Sequence, residues 1–213
     1  IHHNYDLLLR YPLVVVGEHA TRVSHCLIGL PGVQLSDIRK VVSHPQALAQ
    51  CEHYLRSLTG VHTEPVYDTA GSVKIIQEQG DPSVAAIASH WAAELYHMNI
   101  LVERIEDNPA NFTRFQIIAR AAEPAGEDAK TSIVFALKNE PGALFRAMSV
   151  FALRNIDLTK IESRPYVGKP WEYMFYIDLI GSQADENVRK ALANLEEFST
   201  FLRVLGSYPR CAS

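Results

Sequence analysis

Lys40-Val41-Val42-Ser43-His44-Pro45-Gln46-Ala47-Leu48-Ala49-Gln50-Cys51 passes from strand character into a helix-length segment through a single turn. The paired valines suit a buried pleated strand. Ser43 stands where an N-cap belongs, and Pro45 falls in the first turn, where its missing N–H costs nothing. Ala47, Leu48, Cys51 and Leu55 share one face, so a helix is expected over residues 45–58 with that face on a sheet. A strand feeding such a helix, with another strand expected at 64–67, is a βαβ unit. Outward from it the alternation continues. Strands are expected at 13–17, 26–29, 40–42, 84–88, 100–105 and 114–119, and helices at 71–79 and 90–98. The class is α/β, a sheet with crossover helices.

The pattern stops at residues 121–129, a small polar stretch with Pro124 and Gly126 and no period, which reads as a linker. Beyond it the order is strand 131–138, helix 142–154, strands 157–163 and 172–180, helix 184–195 and strand 200–207. This βαββαβ order is the ferredoxin-like split βαβ motif. The domains expected are therefore 1–120, a linker at 121–129, and 130–213. About 80 residues make a marginal core alone, so docking on a second copy, a homo-oligomer, is expected.

Composition removes several function classes. Of 213 residues, 47% are hydrophobic and 21% charged, as in an ordinary globular chain. Lys+Arg number 20 against Asp+Glu 24, and no basic cluster stands ready to neutralise phosphates, so no nucleic-acid partner is expected. Apolar runs such as 84–88 fall far short of the about 20 residues of a membrane helix. The chain begins Ile-His-His and no targeting signal is read in it. Cys26, Cys51 and Cys211 lack CxxC spacing, so free thiols in a reducing compartment are expected. No metal and no cofactor is expected, since the histidines offer no ligand spacing beyond the adjacent His2-His3, read as helix surface. The Asn111-Phe112-Thr113 sequon is read as chance.

Four turns carry candidate chemistry. In the first, N–H groups after Ser43 suit a carboxylate, and Gln50, two turns on, can face the same space. On spacing alone, a capped helix with a solvated Gln is the plainer reading. In the second, Asp68-Thr69-Ala70-Gly71-Ser72, small side chains let backbone amides approach a ligand, and a plain N-cap is the alternative. The third places Ser89 at the end of a buried strand. Three such turns on one sheet edge converge on a crevice, where open α/β sheets bind ligands. In the fourth, Asn111-Phe112-Thr113-Arg114-Phe115, strand alternation sends Thr113 and Arg114 to opposite faces, so at most one enters a pocket. Phe112 and Phe115 can wall a ring or simply belong to a core.

In this order and spacing, Ser43-His44-Pro45-Gln46-Ala47-Leu48-Ala49-Gln50-Cys51, Asp68-Thr69-Ala70-Gly71, Ala85-Ala86-Ile87-Ala88-Ser89 and Asn111-Phe112-Thr113-Arg114-Phe115 resemble the prephenate and arogenate dehydratases of phenylalanine biosynthesis. Asn139-Glu140-Pro141-Gly142-Ala143-Leu144-Phe145 and Lys160-Ile161-Glu162-Ser163-Arg164-Pro165 are similar to the phenylalanine-binding motifs of the ACT domain attached to those enzymes. The resemblance implies a type 2 periplasmic-binding-protein-like catalytic domain with most of its first lobe absent, followed by the ACT domain. The Glu-Asn-Ser motif of that lobe is not found before Ile1, so a piece of a longer chain or a cut start is expected. Residues 1–10 and the strand around Thr113 would belong with that lobe.

For function, the resemblance implies loss of water and carbon dioxide from arogenate, prephenate or both, with no cofactor. It places Thr113 on the leaving hydroxyl, Arg114 on a substrate carboxylate, Ser43 and Gln50 on substrate, Thr69, Ala70 and Ser89 in the pocket wall, and Phe115 beside them. For the ACT domain it implies L-phenylalanine as effector, held by Asn139, Gly142, Ala143, Leu144, Glu162 and Ser163, and a homodimer or homotetramer joined through ACT domains. The stretches at 4–10 and 68–71 look like the plant and algal members, which favours arogenate and a chloroplast stroma; prephenate specificity and a cytoplasmic address are the alternatives. A catalytically inactive amino-acid sensor is the competing reading of a different class.

Overall fold

The computed structural model describes residues 3–166, 168–169 and 171–211, with no account of the side chains of residues 3–6. The His2-His3 reading lies outside the described side chains. In chain order the elements are α1 (His3–Arg10), β1 (Val14–Arg22), β2 (Cys26–Gly29), β3 (Lys40–Ser43), α2 (Pro45–Ala49), α3 (Glu52–Ser57), β4 (His62–Pro65), α4 (Thr69–Gln79), β5 (Val84–Ala88), α5 (His90–Leu95) and β6 (Asn99–Val102). Then follow β7 (Phe112–Ala119), β8 (Ala129–Leu137), α6 (Ala143–Ala152), β9 (Leu158–Pro165), β10 (Tyr173–Ile180), α7 (Glu186–Phe198) and β11 (Ser199–Pro209). They divide into two compact units: residues 21–113, and residues up to 20 together with those from 114 onward.

The 21–113 unit is built on a five-stranded sheet of order β4-β3-β5-β2-β6. β3 runs parallel to β4 and β5, whereas β2 is antiparallel to β5 and β6. β5, Val-Ala-Ala-Ile-Ala, is buried on both faces, which explains its unbroken apolar run. On one face Ile28, Val42 and Ala86 pack with Val73 and Ile76 of α4 and with Ala92 and Ala93 of α5. On the other, Leu27, Val41, Ala85 and Ile87 pack with Ala47 of α2 and with Ile38, Cys51 and Ile105.

The expected helix over 45–58 is two helices. Cys51 breaks it at φ −123°, ψ 25°. The break is held from a distant segment: Asp107 N–H donates to Gln50 O at 2.8 Å, and its carboxylate accepts the His53 N–H at 3.1 Å. The edge strand β4 lies two residues earlier than expected. All four of its residues are exposed, so no burial period marks its position, and pairing of Lys40 with His62 sets it instead.

In the other unit, β11-β8-β10-β9 form an antiparallel sheet with the ferredoxin-like βαββαβ order. Ile133, Phe135, Leu137, Ile177 and Leu179 meet Ala147, Val150 and Phe151 of α6 and Val188, Ala191 and Leu195 of α7. Val134, Ala136, Met174 and Tyr176 on the opposite face meet Leu8 of α1 and Val15 of β1. The backbones approach so closely there that a Cβ on Gly206 would lie 2.0 Å from Val15 O, which requires glycine at this position of β11. β1 pairs with β7 in a separate two-stranded sheet.

Candidate functional site

Three parallel strands of the 21–113 unit end on one side of its sheet, and the turn after each opens a helix. A side chain caps each helix. His44 Nδ1, not Ser43, accepts the Gln46 N–H at 3.1 Å and caps α2. Asp68 Oδ2 accepts the Gly71 N–H at 2.8 Å, so close that a Cβ at Gly71 would press on that oxygen. Ser89 Oγ accepts the Ala92 N–H at 3.2 Å and caps α5. Together these turns wall a cavity of about 600 Å³, lined by His44, Gln46, Ala47 and Gln50 from the first, Asp68, Thr69 and Ala70 from the second, and Ser89, His90 and Trp91 from the third. Its remaining wall is Arg22, Val23, Ser24, His25 and Thr113. Val23 N–H donates to Asn111 O at 2.8 Å, which brings the segment leading to Thr113 alongside Arg22–His25.

Gln50, Thr69, Ala70, Ser89 and Thr113 are thus brought together, and Ser43, Arg114 and Phe115 are not among the lining residues. Ser43 is fully buried and donates its hydroxyl to Ile87 O at 2.6 Å, a strut between β3 and β5. As an N-cap it is therefore replaced by His44, and it does not line the cavity that Gln50 lines. Arg114 differs for the alternation reason: its Nε donates to Glu18 Oε2 at 2.5 Å, Nη1 to Asp178, and Nη2 to Tyr208 Oη at 2.7 Å. Three of its five donors are thus bonded within an ionic network of buried partners rather than in the cavity. Phe115 is exposed on β7.

Several groups tune this unit. Burial pushes the Glu106 carboxyl upward, but the His25 N–H at 2.9 Å, the Ser24 hydroxyl at 3.3 Å and the Arg22 charge outweigh it and hold the group below the ordinary carboxylate value. Burial, reinforced by Asp107 and Glu106, pushes the Cys51 thiol up to about 12, so it stays a thiol. His25 is buried beside the cavity, with Nε2 2.8 Å from Gln50 Oε1. It was legible only as a strand neighbour of Cys26; Arg22, His25 and Trp91 sit in no phosphate, triad or metal pattern that would single them out. Among the described residues no His, Cys, Asp or Glu side chains gather as a metal site.

In the ferredoxin-like unit, the loop after β8 forms a second site. Gly142 takes φ +77° before α6, a conformation that favours glycine. Asn139, Ala143 and Leu144 line a cavity of about 120 Å³ with Trp171, Tyr173 and Phe175. The Ala143 N–H is occupied by Glu140 O at 3.1 Å, so it is spent within the loop. Gly142, Glu162 and Ser163 are not among the lining residues. Ser163 pairs with Phe175 across β9 and β10 and so shares its face, whereas Glu162 pairs with Tyr176.

Comparison with known proteins bears on both sites. The family model for prephenate dehydratase matches residues 1–123, and that for the ACT domain matches residues 131–197. A chloroplastic arogenate dehydratase/prephenate dehydratase 2 of Arabidopsis thaliana is 51% identical over 98% of this chain and 58% of its own length. The chain spans somewhat over half the length of the curated relatives it matches. Among solved structures, a prephenate dehydratase in complex with L-Phe from Arthrobacter aurescens superposes with TM-score 0.83 at 37% identity, covering 93% of this chain and 66% of that one. A chain described as GqqA, a novel type of quorum quenching acylases, gives TM-score 0.84 at 36% identity, covering 96% and 75%. These matches show the fold, a periplasmic-binding-protein-like α/β domain followed by an ACT domain.

Proposed function

The chain belongs to the prephenate dehydratase family, and from that premise we propose that it belongs to an enzyme converting arogenate to L-phenylalanine, prephenate to phenylpyruvate, or both, under control of L-phenylalanine. The observation that carries this is the cavity of the 21–113 unit, where Gln50, Thr69, Ala70, Ser89 and Thr113 face one space of about 600 Å³. In the reaction the bond from ring to carboxylate breaks and releases carbon dioxide. Its electron pair enters the ring, and the hydroxyl leaves on the opposite carbon as water, having gained a proton. Aromatisation drives both. The protein's part is to hold the hydroxyl in a hydrogen bond that strengthens as negative charge grows on oxygen, and to leave the departing carboxylate poorly solvated.

Thr113 supplies the hydroxyl contact. Its alcohol is too weak an acid to ionise near neutral pH, so it acts as a positioned donor rather than as a conventional acid. Gln50, Thr69, Ala70 and Ser89 form the substrate wall, with Trp91 at the mouth as an exposed aromatic face for a ring. An acylase reading finds less to rest on. The hydroxyls of Ser24, Ser43 and Ser89 are engaged by Glu106, Ile87 O and the Ala92 N–H, none by a histidine. Cys51 is held as a thiol.

Residues 1–120 are the catalytic portion, 121–129 the linker and 130–213 the ACT domain in this reading. L-phenylalanine sits by Asn139, Ala143 and Leu144, with Gly142 shaping the loop and Glu162 and Ser163 at the neighbouring strand. Exposed Phe145, Leu153, Ile161 and Trp171 supply apolar area for joining ACT domains in a homodimer or homotetramer. Plant relatives carry chloroplast labels, and a plastid stroma is the address proposed. The test is turnover of arogenate and of prephenate by the full-length protein, with and without L-phenylalanine. Faster turnover of arogenate, with L-phenylalanine altering the rate, is expected; no turnover of either substrate overturns the reading.

A further inference from the structure

We propose that His25 is a positioning residue that sets the polarity of Gln50, turning the amide nitrogen to the cavity so that the site offers a hydrogen-bond donor there and selects ligands presenting an oxygen acceptor. The proposal rests on the dehydratase reading for the identity of the ligand and on geometry alone for the role of the histidine.

His25 is only 5% exposed, and its Nε2 stands 2.8 Å from Gln50 Oε1. A carbonyl oxygen only accepts, so this nitrogen carries the proton and a neutral ring leaves Nδ1 bare. Nδ1 is itself buried and has no hydrogen-bond partner among the described residues. With the Gln50 amide turned round, its NH₂ would donate to a bare Nε2, and the ring proton would sit on Nδ1 as a buried donor with no acceptor. Orphaned buried N–H groups are rarer than under-used acceptors, which decides between the two arrangements.

The backbones of both partners are anchored. His25 N–H donates to Glu106 Oε2 at 2.9 Å and its carbonyl accepts the Ile105 N–H at 3.0 Å. Gln50 N–H donates to Gln46 O at 3.0 Å, and its carbonyl accepts the Asp107 N–H at 2.8 Å. One stretch, residues 105–107, therefore braces both. The Gln50 amide nitrogen, with no protein partner among the described residues, is the end left for a ligand. Thr113 lines the same cavity. At this end of Gln50 a carboxylate or carbonyl oxygen meets a donor, whereas an ammonium group meets no acceptor.

Two measurements on the full-length protein test this. In ¹⁵N NMR of the unsubstituted protein, the His25 ring is expected as the Nε2-protonated tautomer; an Nδ1-protonated ring overturns the proposal. In kinetics with arogenate and prephenate, His25→Leu is expected to raise KM about tenfold with kcat nearly kept, as for lost uniform binding. His25→Gln, whose amide N–H can replace Nε2–H, is expected to recover most of that loss. In a Gln50→Leu background, His25→Leu is expected to add nothing. An unchanged KM, or losses that add in full, overturns the proposal. Absence of turnover in the wild type would defeat the dehydratase reading, while the ring spectrum would still decide the role of His25.

Discussion

Thr113 and Arg114 are consecutive residues of one strand, yet they serve opposite kinds of polar surroundings. Thr113 lines a cavity where the Gln50 amide has a protein partner at its oxygen and, among the described residues, none at its nitrogen. Arg114 enters a network in which Glu18 also accepts Lys130 Nζ at 2.7 Å and the Cys211 N–H at 3.1 Å, while Asp178 also accepts the Ser132 hydroxyl. Glu18 and Asp178 side chains are only 2% and 5% exposed. Charges buried this deeply persist only when fully paired. The difference teaches that adjacency in a motif does not mean shared chemistry. A strand deals alternate residues to opposite faces, and here one faces ligand space and the other a structural lock.

The sharpest way to break this contrast is Arg114→Ala. Removing Arg114 leaves the buried Asp178 carboxylate with no cation among the described residues and Glu18 with Lys130 alone, and unfolding by urea is expected to show a loss of about 3–5 kcal/mol. Unchanged stability with a raised KM would return Arg114 to substrate. Thr113→Ala should do the reverse, lowering turnover by about 10²–10³ while leaving the urea midpoint within experimental scatter. In Gly206→Ala the new methyl meets Val15 O, and a loss of about 1–3 kcal/mol is expected, read by thermal unfolding. Ser43→Ala leaves Ile87 O without its strut and should cost about 1 kcal/mol with KM unmoved.

The smallest effect is on pH. Burial raises the carboxyl of Glu18, as it does that of Glu106, yet hydrogen bonds and nearby cations hold both below the ordinary value of 4.5. On acidification the unfolded chain therefore takes up protons first. The stability these groups confer is whole above about pH 4.5 and is lost as pH falls through their lower folded values. Urea midpoints across this range should slope less in Glu18→Gln.

Legibility in the sequence followed burial. β5 stands where its apolar run places it, because a strand buried on both faces leaves an unbroken signal. β4 does not, because an edge strand with every residue exposed carries no period. The break at Cys51 was invisible for a different reason: its cause is Asp107, more than fifty residues away. The candidate site divided in the same way. Thr69, Ala70 and Ser89 are legible as small or hydroxyl residues at strand-to-helix turns. His25 is not, since its partner Gln50 lies 25 residues further on with nothing local to pair them.

Periodicity, turn chemistry and motif order determined, without coordinates, an α/β unit followed by a βαββαβ unit and the segments from which each site is drawn. Tertiary structure alone decided which polar side chains face open space and which are consumed: Gln50 rather than Ser43, Thr113 rather than Arg114. The reason is physical. Local sequence sets backbone conformation through short-range sterics and burial period, but the fate of a hydrogen-bonding group depends on partners that the fold brings from 44, 64 or 96 residues away.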